Sequence, residues 1–117
     1  MKVIVLGAGL VGAPMALDLA KGSEFEVTVA DISRKNLDKF KDDNIATVEM
    51  DLDNEAALIE VLKNHDLVLN AVPGFMGYRT TERILRAGKN VVDISFFPED
   101  ALELDGLAKE NGVTAIV

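Results

Sequence analysis

Short runs of β-branched and aliphatic residues alternate with segments of helical periodicity along this 117-residue chain. Each run has roughly four to eight residues between Gly, Pro, Asp or Asn, which is typical of strands buried on both faces. The predicted strands cover residues 2–6, 26–30, 45–50, 67–72, 90–94 and 113–117. Because each connection contains a helical segment, this alternation predicts a doubly wound parallel sheet with helices on both faces.

The segments between the strands carry apolar residues at helical spacing. Val11, Met15 and Leu19 form the first stripe, and Ser33 and Asn54 are predicted N-caps of the second and third helices. The later stripes consist of Leu37 and Phe40, of Ala57, Leu58, Val61 and Leu62, of Ile84 and Leu85, and of Leu104, Leu107 and Ala108.

The composition restricts the class of protein and its partners. There is no cysteine, which excludes disulfides and thiolate metal sites and fits a reducing cytosol. The net charge of −8 repels phosphate backbones, so nucleic acid is not an expected partner. No apolar run approaches the roughly 18 residues of a membrane span. We therefore predict a single cytoplasmic domain over residues 1–117 that binds neither nucleic acid nor membranes.

A glycine-rich segment joins the first predicted strand to the first helix. Its residues, Gly7-Ala8-Gly9-Leu10-Val11-Gly12, form a G-x-G-x-x-G pattern. In such a segment Gly7 allows a tight turn, Gly9 lets a pyrophosphate approach the backbone, and Gly12 lets the helix lie close to the sheet. The helix N-terminus attracts phosphates despite the acidic net charge. The segment predicts a Rossmann-type dinucleotide site and strand order 3-2-1-4-5-6, with a plain tight turn as the alternative.

An acidic residue follows the second predicted strand. Asp31 lies about 20 residues beyond the glycines, where a carboxylate accepts hydrogen bonds from the adenosine ribose. The same charge repels a 2′-phosphate, so NAD is the predicted cofactor and NADP the less favoured one. Ile32 is a predicted neighbouring contact. The alternative for Asp31 is a helix-capping role. Arg34 is expected to be a solvated charge beside Lys35, and the alternative is that it approaches a 2′-phosphate.

Further cofactor contacts are expected where later strands end, because ligands of open α/β sheets lie across the carboxyl ends of the strands. Asp51 is predicted to face the adenine, or alternatively to cap a helix. A loop that passes the nicotinamide half is predicted at Ala71, Val72, Pro73 and Gly74. Phe75 and Met76 are expected to pack near the nicotinamide or a second domain, or to cover the core.

Few residues offer proton-transfer or metal chemistry. Asp93 lies in an otherwise apolar strand and needs a polar partner, so a structural hydrogen bond is an alternative to a catalytic role. Tyr78 is the other candidate, and no catalytic residue is assigned from the sequence. His65, the only histidine, lies at a helix end and is expected to be structural. No cluster has metal-ligand spacing, so no metal site is predicted.

Four stretches resemble the saccharopine dehydrogenase family, and within it the lysine 6-dehydrogenase-like members. They are VLGAGLVG, VTVADIS, LVLNAVPGFMGY and NVVDISFFPED, and the resemblance covers essentially the whole chain as an N-terminal NAD-binding domain. It implies that the pyrophosphate is held by Gly7, Gly9, Leu10, Val11 and Gly12. It also implies that Asp31 binds the ribose, that Asp51 lies near the adenine, and that the nicotinamide half lies near Ala71, Val72, Pro73 and Gly74.

The resemblance also implies an activity, namely hydride transfer from an amine-bearing carbon of an amino-acid substrate to NAD. In the family a second domain supplies much of the substrate pocket and the homodimer contacts, and that domain is expected to be absent from residues 1–117. Whether these residues act as an enzyme alone is therefore left open. The alternative is an NAD-sensing regulatory domain of the kind attached to potassium channels and transporters. The aromatic segment PGFMGY favours the dehydrogenase.

Overall fold

The fold is a parallel sheet in the strand order β3-β2-β1-β4-β5-β6, in a computed structural model that describes residues 1–40, 44–95, 97, 99 and 101–117. The predicted Rossmann-type order is confirmed. The strands are β1 (Lys2–Leu6), β2 (Glu26–Asp31), β3 (Ile45–Glu49), β4 (Leu67–Asn70), β5 (Asn90–Asp93) and β6 (Ala115–Ile116).

Helices connect the strands, and two connections also contain a 3₁₀ turn. The helices are α1 (Gly12–Ala20), α2 (Arg34–Leu37), α3 (Glu55–Leu62), α4 (Gly74–Arg86) and α5 (Asp105–Glu110), with 3₁₀ turns at Asp38–Phe40 and Ala101–Leu104. Both predicted N-caps are confirmed, because Ser33 accepts a hydrogen bond from Asn36 N–H and Asn54 accepts one from Ala57 N–H. In the described part of the chain, no helix has the length and apolarity needed to cross a membrane.

Two apolar clusters fill the two faces of the sheet. Successive strand residues point to opposite faces, so Ile4 belongs to one cluster and Val5 to the other, and both are fully buried. One cluster packs strand residues against Leu58 of α3 and Ile84 of α4, and the other includes Leu37 at the end of α2. The resulting core holds the carboxyl ends of five strands at one edge, where the loops carry the candidate site.

Two details of the sequence prediction are wrong. The segment after β4 is predicted to be a loop at Ala71, Val72, Pro73 and Gly74, but α4 already begins at Gly74. Pro73 precedes this helix with φ of −54°, and a proline there removes no intrahelical hydrogen bond. The first helical stripe also differs, since Val11 is 50% exposed, whereas α1 buries the small residues Ala13 and Ala16.

Candidate functional site

A cavity of about 790 Å³ lies across the carboxyl ends of the central strands. β1 pairs with β2 on one side and with β4 on the other, so the connections diverge here and open a crevice, as is usual for ligand sites of this architecture. All the predicted cofactor-binding residues line the cavity except Gly12 and Gly74. Those that line it are Gly7, Gly9, Leu10, Val11, Asp31, Ile32, Asp51, Ala71, Val72 and Pro73.

Two glycines of the segment after β1 are required by the protein itself. Gly7 has φ of +101°, and a Cβ there would lie 2.5 Å from the carbonyl oxygen of Ala71. A Cβ at Gly12 would overlap the carbonyl oxygen of Gly7 and lie 3.1 Å from the Cβ of Ala71. These contacts allow the turn after β1 and the start of α1 to pack closely against the end of β4. Gly12 is therefore buried beneath the cavity instead of lining it.

Gly9 is different, because none of the residues that the structure describes requires a glycine at this position. An added Cβ would meet no atom within 4 Å, and its φ lies outside the positive region that excludes other residues. Gly9 is exposed and lines the cavity. A side chain at position 9 would therefore fill the space in front of the glycine segment, where a ligand would approach the backbone.

The carboxylate of Asp31 is bonded to two backbone groups at the cavity wall. Ala8 N–H donates to Oδ2 and Ser33 N–H donates to Oδ1, both at 2.7 Å. The carboxylate therefore connects the glycine segment to the loop after β2, while Ser33 caps α2. The helix-capping alternative for Asp31 is therefore wrong. A carboxylate has about four acceptor positions, so two remain for ligand hydroxyl groups.

The cavity is acidic on the side of β2 and β3. Arg34, three residues after Asp31, forms an ion pair with Glu49 at the end of β3, where Nε lies 2.8 Å from Oε1. Asp51 lies in the following loop and accepts a hydrogen bond from Asp53 N–H at 2.9 Å. Asn54 caps α3, so the helix-capping alternative for Asp51 is wrong. The carboxylates of Asp31 and Asp51 therefore both line this end of the cavity.

Asp53, which the sequence pattern does not indicate as a site residue, also lines the cavity. Its Oδ1 accepts hydrogen bonds from Arg79 Nε at 2.8 Å and from Arg83 Nη1 at 3.1 Å, both on α4. These pairs connect the loop after β3 to α4 across the sheet. The spacing of the residues in the sequence gives no sign of them, since the partners are 26 and 30 positions apart.

The opposite side of the cavity, at the ends of β4 and β5, is mainly apolar. It is lined by Ala71, Val72, Pro73, Phe75, Met76, Ile94 and Ser95. The Phe75 side chain is 75% exposed, and Met76 is half-buried. This side offers a surface for an aromatic ring with few competing polar groups.

Tyr78 on α4 and His65, which follows α3, both lie outside the cavity lining. Tyr78 OH donates to Glu103 Oε2 at 3.1 Å, and its ring contacts Phe97 edge-on. Partial burial and the neighbouring Glu103 carboxylate raise the pKa of Tyr78. His65 is buried with Nδ1 2.8 Å from the carbonyl oxygen of Val61, in agreement with a structural role.

Asp93 lies beneath the cavity in a buried polar cluster. Its Oδ1 accepts hydrogen bonds from Asn70 Nδ2 at 3.0 Å, from Thr81 Oγ1 at 3.4 Å and from Ser95 Oγ at 2.7 Å. The predicted need for a polar partner is confirmed. Burial raises the pKa of Asp93, and these donors, with Ser95 N–H, oppose the rise.

The raised pKa of Asp93 predicts a pH dependence of stability. The folded protein binds the Asp93 proton more tightly than the unfolded chain does. Protonated Asp93 therefore makes its full contribution to the free energy of unfolding below the unfolded pKa of about 3.9, and this contribution is lost as the pH rises through the folded pKa. Urea unfolding from pH 3.5 to 8 should show this loss for wild type relative to Asp93→Asn. The exposed Asp18→Asn is the control. Parallel profiles for wild type and Asp93→Asn would contradict the assignment.

Gly77 of α4 faces the same cluster and predicts a second effect on stability. An added Cβ would overlap Ser95 Oγ and lie 3.1 Å from Phe97 Cβ. Gly77→Ala should therefore reduce the free energy of unfolding by about 1–3 kcal/mol. Gly106→Ala on α5, where a Cβ meets open space, should instead stabilise the chain by about 0.4–1 kcal/mol. Urea unfolding measures both, and equal effects of the two variants would refute the packing argument.

Comparisons with known proteins agree with the fold. The family model described as "Saccharopine dehydrogenase NADP binding domain" matches residues 3–116. Saccharopine dehydrogenase (NADP+, L-glutamate-forming) of Pyricularia oryzae is 30% identical over 117 residues, which are 98% of this chain and 26% of that protein. Mouse mitochondrial alpha-aminoadipic semialdehyde synthase is 26% identical, over 98% of this chain and 13% of that protein.

Solved structures show the same relationship. Apo saccharopine dehydrogenase (L-Glu forming) from Saccharomyces cerevisiae has a TM-score of 0.85 and 26% identity, over 97% of this chain and 26% of that chain. Biliverdin reductase from Synechocystis, solved with biliverdin and NADP+, has a TM-score of 0.75 and 25% identity, over 97% of this chain and 37% of that chain.

These matches separate the two functional alternatives. The chain spans about a quarter of the length of the fungal relatives that it matches. The relatives are dehydrogenases and a semialdehyde synthase, so the alternative of a channel-type regulatory domain is not supported. Because the family model matches residues 3–116, the chain belongs to the saccharopine dehydrogenase family and corresponds to its dinucleotide-binding domain.

Proposed function

We propose that this chain binds a nicotinamide adenine dinucleotide with its pyrophosphate against the glycine segment. The observation that carries the proposal is the open space in front of Gly9, which no packing or backbone requirement explains. The backbone N–H groups at the start of α1 lie beside it and provide the dipole that attracts phosphate. The cavity volume of about 790 Å³ lies within the range of small-molecule sites.

The two sides of the cavity indicate the orientation of the ligand. The acidic side holds Asp31 and Asp51, whose carboxylates accept hydrogen bonds from ribose and adenine groups. Ile32 is 66% exposed beside Asp31 and offers an apolar surface for the adenine ring. The apolar side, at the ends of β4 and β5, then takes the nicotinamide ring.

The comparisons and the side chains favour different cofactors. The family description contains NADP, as does the name of the Pyricularia oryzae relative, and the biliverdin reductase structure is a complex with NADP+. The carboxylate of Asp31 and the pairing of Arg34 with Glu49 favour a free 2′-hydroxyl instead, because a 2′-phosphate would meet like charge and no free guanidinium. We propose NAD as the preferred cofactor, and an NADP preference is the competing outcome.

For an enzyme that contains this domain we propose oxidation at an amine-bearing carbon of an amino acid of the saccharopine or lysine type. When bound, the nicotinamide supplies the hydride acceptor, and this domain orients the cofactor. Among the described residues that line the apolar side of the cavity, none has an ionisable side chain, so the substrate pocket and its proton-transfer group would come from protein other than this domain. Those further residues would also form any homodimer contacts.

Calorimetric titration of the chain with NAD and with NADP tests the proposal. We expect saturable one-site binding of NAD, weaker binding of NADP, and no NADH formation with lysine or saccharopine. Absence of binding of both dinucleotides by the folded chain would refute the proposed site. Efficient NADH formation with either amino acid would refute the proposed need for further protein.

A further inference from the structure

Ser95 is the one residue with a polar side chain among the described residues that line the cavity at the ends of β4 and β5. Asp31 lies at the end of β2, and β1 and β4 separate that strand from β5. Strands in a sheet are about 4.8 Å apart, so the strands that carry Asp31 and lead into Ser95 are about 14 Å apart. A dinucleotide with its pyrophosphate on the segment after β1 would therefore bring its nicotinamide end toward Ser95.

The orientation of the Ser95 hydroxyl group follows from Asp93. The two oxygens of Asp93 accept hydrogen bonds from Asn70, Thr81 and Ser95, which is the pattern of an ionised carboxylate without a proton to donate. Ser95 Oγ must consequently donate its only proton to Asp93, at 2.7 Å. None of the described residues donates to Ser95 Oγ, so its lone pairs accept no hydrogen bond within that part of the chain.

The hydroxyl group is held in place by packing as well as by this hydrogen bond. The loop after β5 lies so close to α4 that only a glycine fits at position 77. Asn70 Nδ2 lies 3.3 Å from the Gly77 carbonyl oxygen and 3.1 Å from Thr81 Oγ1, which joins the end of β4 to the same helix. A rotation of the Ser95 side chain would break its hydrogen bond to a carboxylate that is only 8% exposed.

We propose that Ser95 Oγ accepts a hydrogen bond from the carboxamide N–H of the nicotinamide, and that Asp93 is a positioning residue that keeps the hydroxyl group in this accepting orientation. This inference rests on the proposed dinucleotide site. The carboxamide offers two N–H donors, and the other lining side chains at this end of the cavity are apolar. The contact fixes which face of the nicotinamide ring is turned toward the substrate side.

Three ligands separate this contact from the rest of the site. They are the cofactor, its 3-acetylpyridine analogue, in which a methyl group replaces the carboxamide nitrogen, and ADP-ribose, which has no nicotinamide. All three are used in the 2′-hydroxyl or the 2′-phosphate form, whichever the wild type binds more tightly. Calorimetry gives the affinities for wild type, Ser95→Ala and the control Ser23→Ala, whose serine lies outside the cavity lining.

Wild type should bind the cofactor roughly threefold to tenfold more tightly than the acetylpyridine analogue, which is the effect of one hydrogen bond. Ser95→Ala should reduce the cofactor affinity by the same factor, bind the two dinucleotides equally and bind ADP-ribose like wild type. Ser23→Ala should behave as wild type. If Ser95→Ala does not fold, Ser95→Cys keeps the side-chain volume with a weak acceptor and should give the same pattern.

The outcomes distinguish this inference from the proposed function. If wild type binds neither the cofactor nor ADP-ribose, the dinucleotide site itself is refuted. If wild type binds both but does not distinguish the carboxamide from the acetyl group, only the Ser95 contact is refuted. Loss of ADP-ribose and cofactor affinity by equal factors in a folded Ser95→Ala variant would also overturn it, because that result indicates a general effect on the cavity.

Discussion

Gly9→Val should reduce the affinity of the chain for its dinucleotide more than tenfold, or by about 1.4 kcal/mol or more. The valine side chain would occupy the space in front of the glycine segment, where the pyrophosphate must approach the backbone. The fold should be retained, since a Cβ at this position meets no protein atom within 4 Å. Calorimetry for affinity and urea unfolding for stability measure the two effects separately.

Gly106→Val is the matched control for this substitution. Gly106 also has open space around its Cβ position, but it lies on α5 and outside the cavity lining. The control variant should bind the dinucleotide within twofold of the wild type. A folded Gly9→Val variant with unchanged affinity would mean that the glycine segment is only a turn between β1 and α1.

Asp31→Ser should shift the ratio of the NAD and NADP affinities toward NADP by roughly tenfold or more. A hydrogen bond from a ribose hydroxyl to a carboxylate contributes about 1.5–3 kcal/mol, and the same charge opposes a 2′-phosphate. Loss of the carboxylate also frees this position for Arg34, whose half-exposed pair with Glu49 is worth at most about 1 kcal/mol. The measurement is the ratio of the two dissociation constants at one salt concentration.

The ratio is more informative than either affinity because Asp31 also holds the glycine segment through Ala8 N–H. A loosened glycine segment would reduce the affinities for NAD and NADP equally and leave the ratio of the two affinities unchanged. Asp18→Ser removes an exposed charge of α1 and should leave the ratio as in wild type. A wild type that prefers NADP, or an unchanged ratio in Asp31→Ser, would show that the cofactor assignment is wrong.

Local pattern was sufficient to predict the strand order and much of the cavity lining. The β-branched runs leave little freedom in placing the strands, because a parallel strand buried on both faces has to be apolar throughout. The start of α4 could not be predicted in this way. Gly74 and Gly77 have low helix propensity, and it is packing against the loop after β5 that makes Gly77 compatible with the helix.

The polar contacts beneath and beside the cavity also lay beyond prediction from sequence. Asp93 was identified as a buried acid in need of a partner, but its partners Asn70 and Thr81 lie 23 and 12 positions away, on another strand and on α4. The pairing of Asp53 with α4 likewise arises only when the loop after β3 meets that helix. Such contacts are set by the packing of whole elements, which residue spacing does not encode.

Mapping the bound dinucleotide by amide nitrogen–proton NMR is the most direct test of the central claim. During titration with the preferred cofactor, the amide signals of Gly9, Leu10 and Val11, together with those of Asp31 and Ser95, should shift and saturate with one dissociation constant. Signals from the separate cavity of about 310 Å³ beside α5 and β6 should not move. Saturable shifts confined to that second cavity, or none in the glycine segment, would contradict the account.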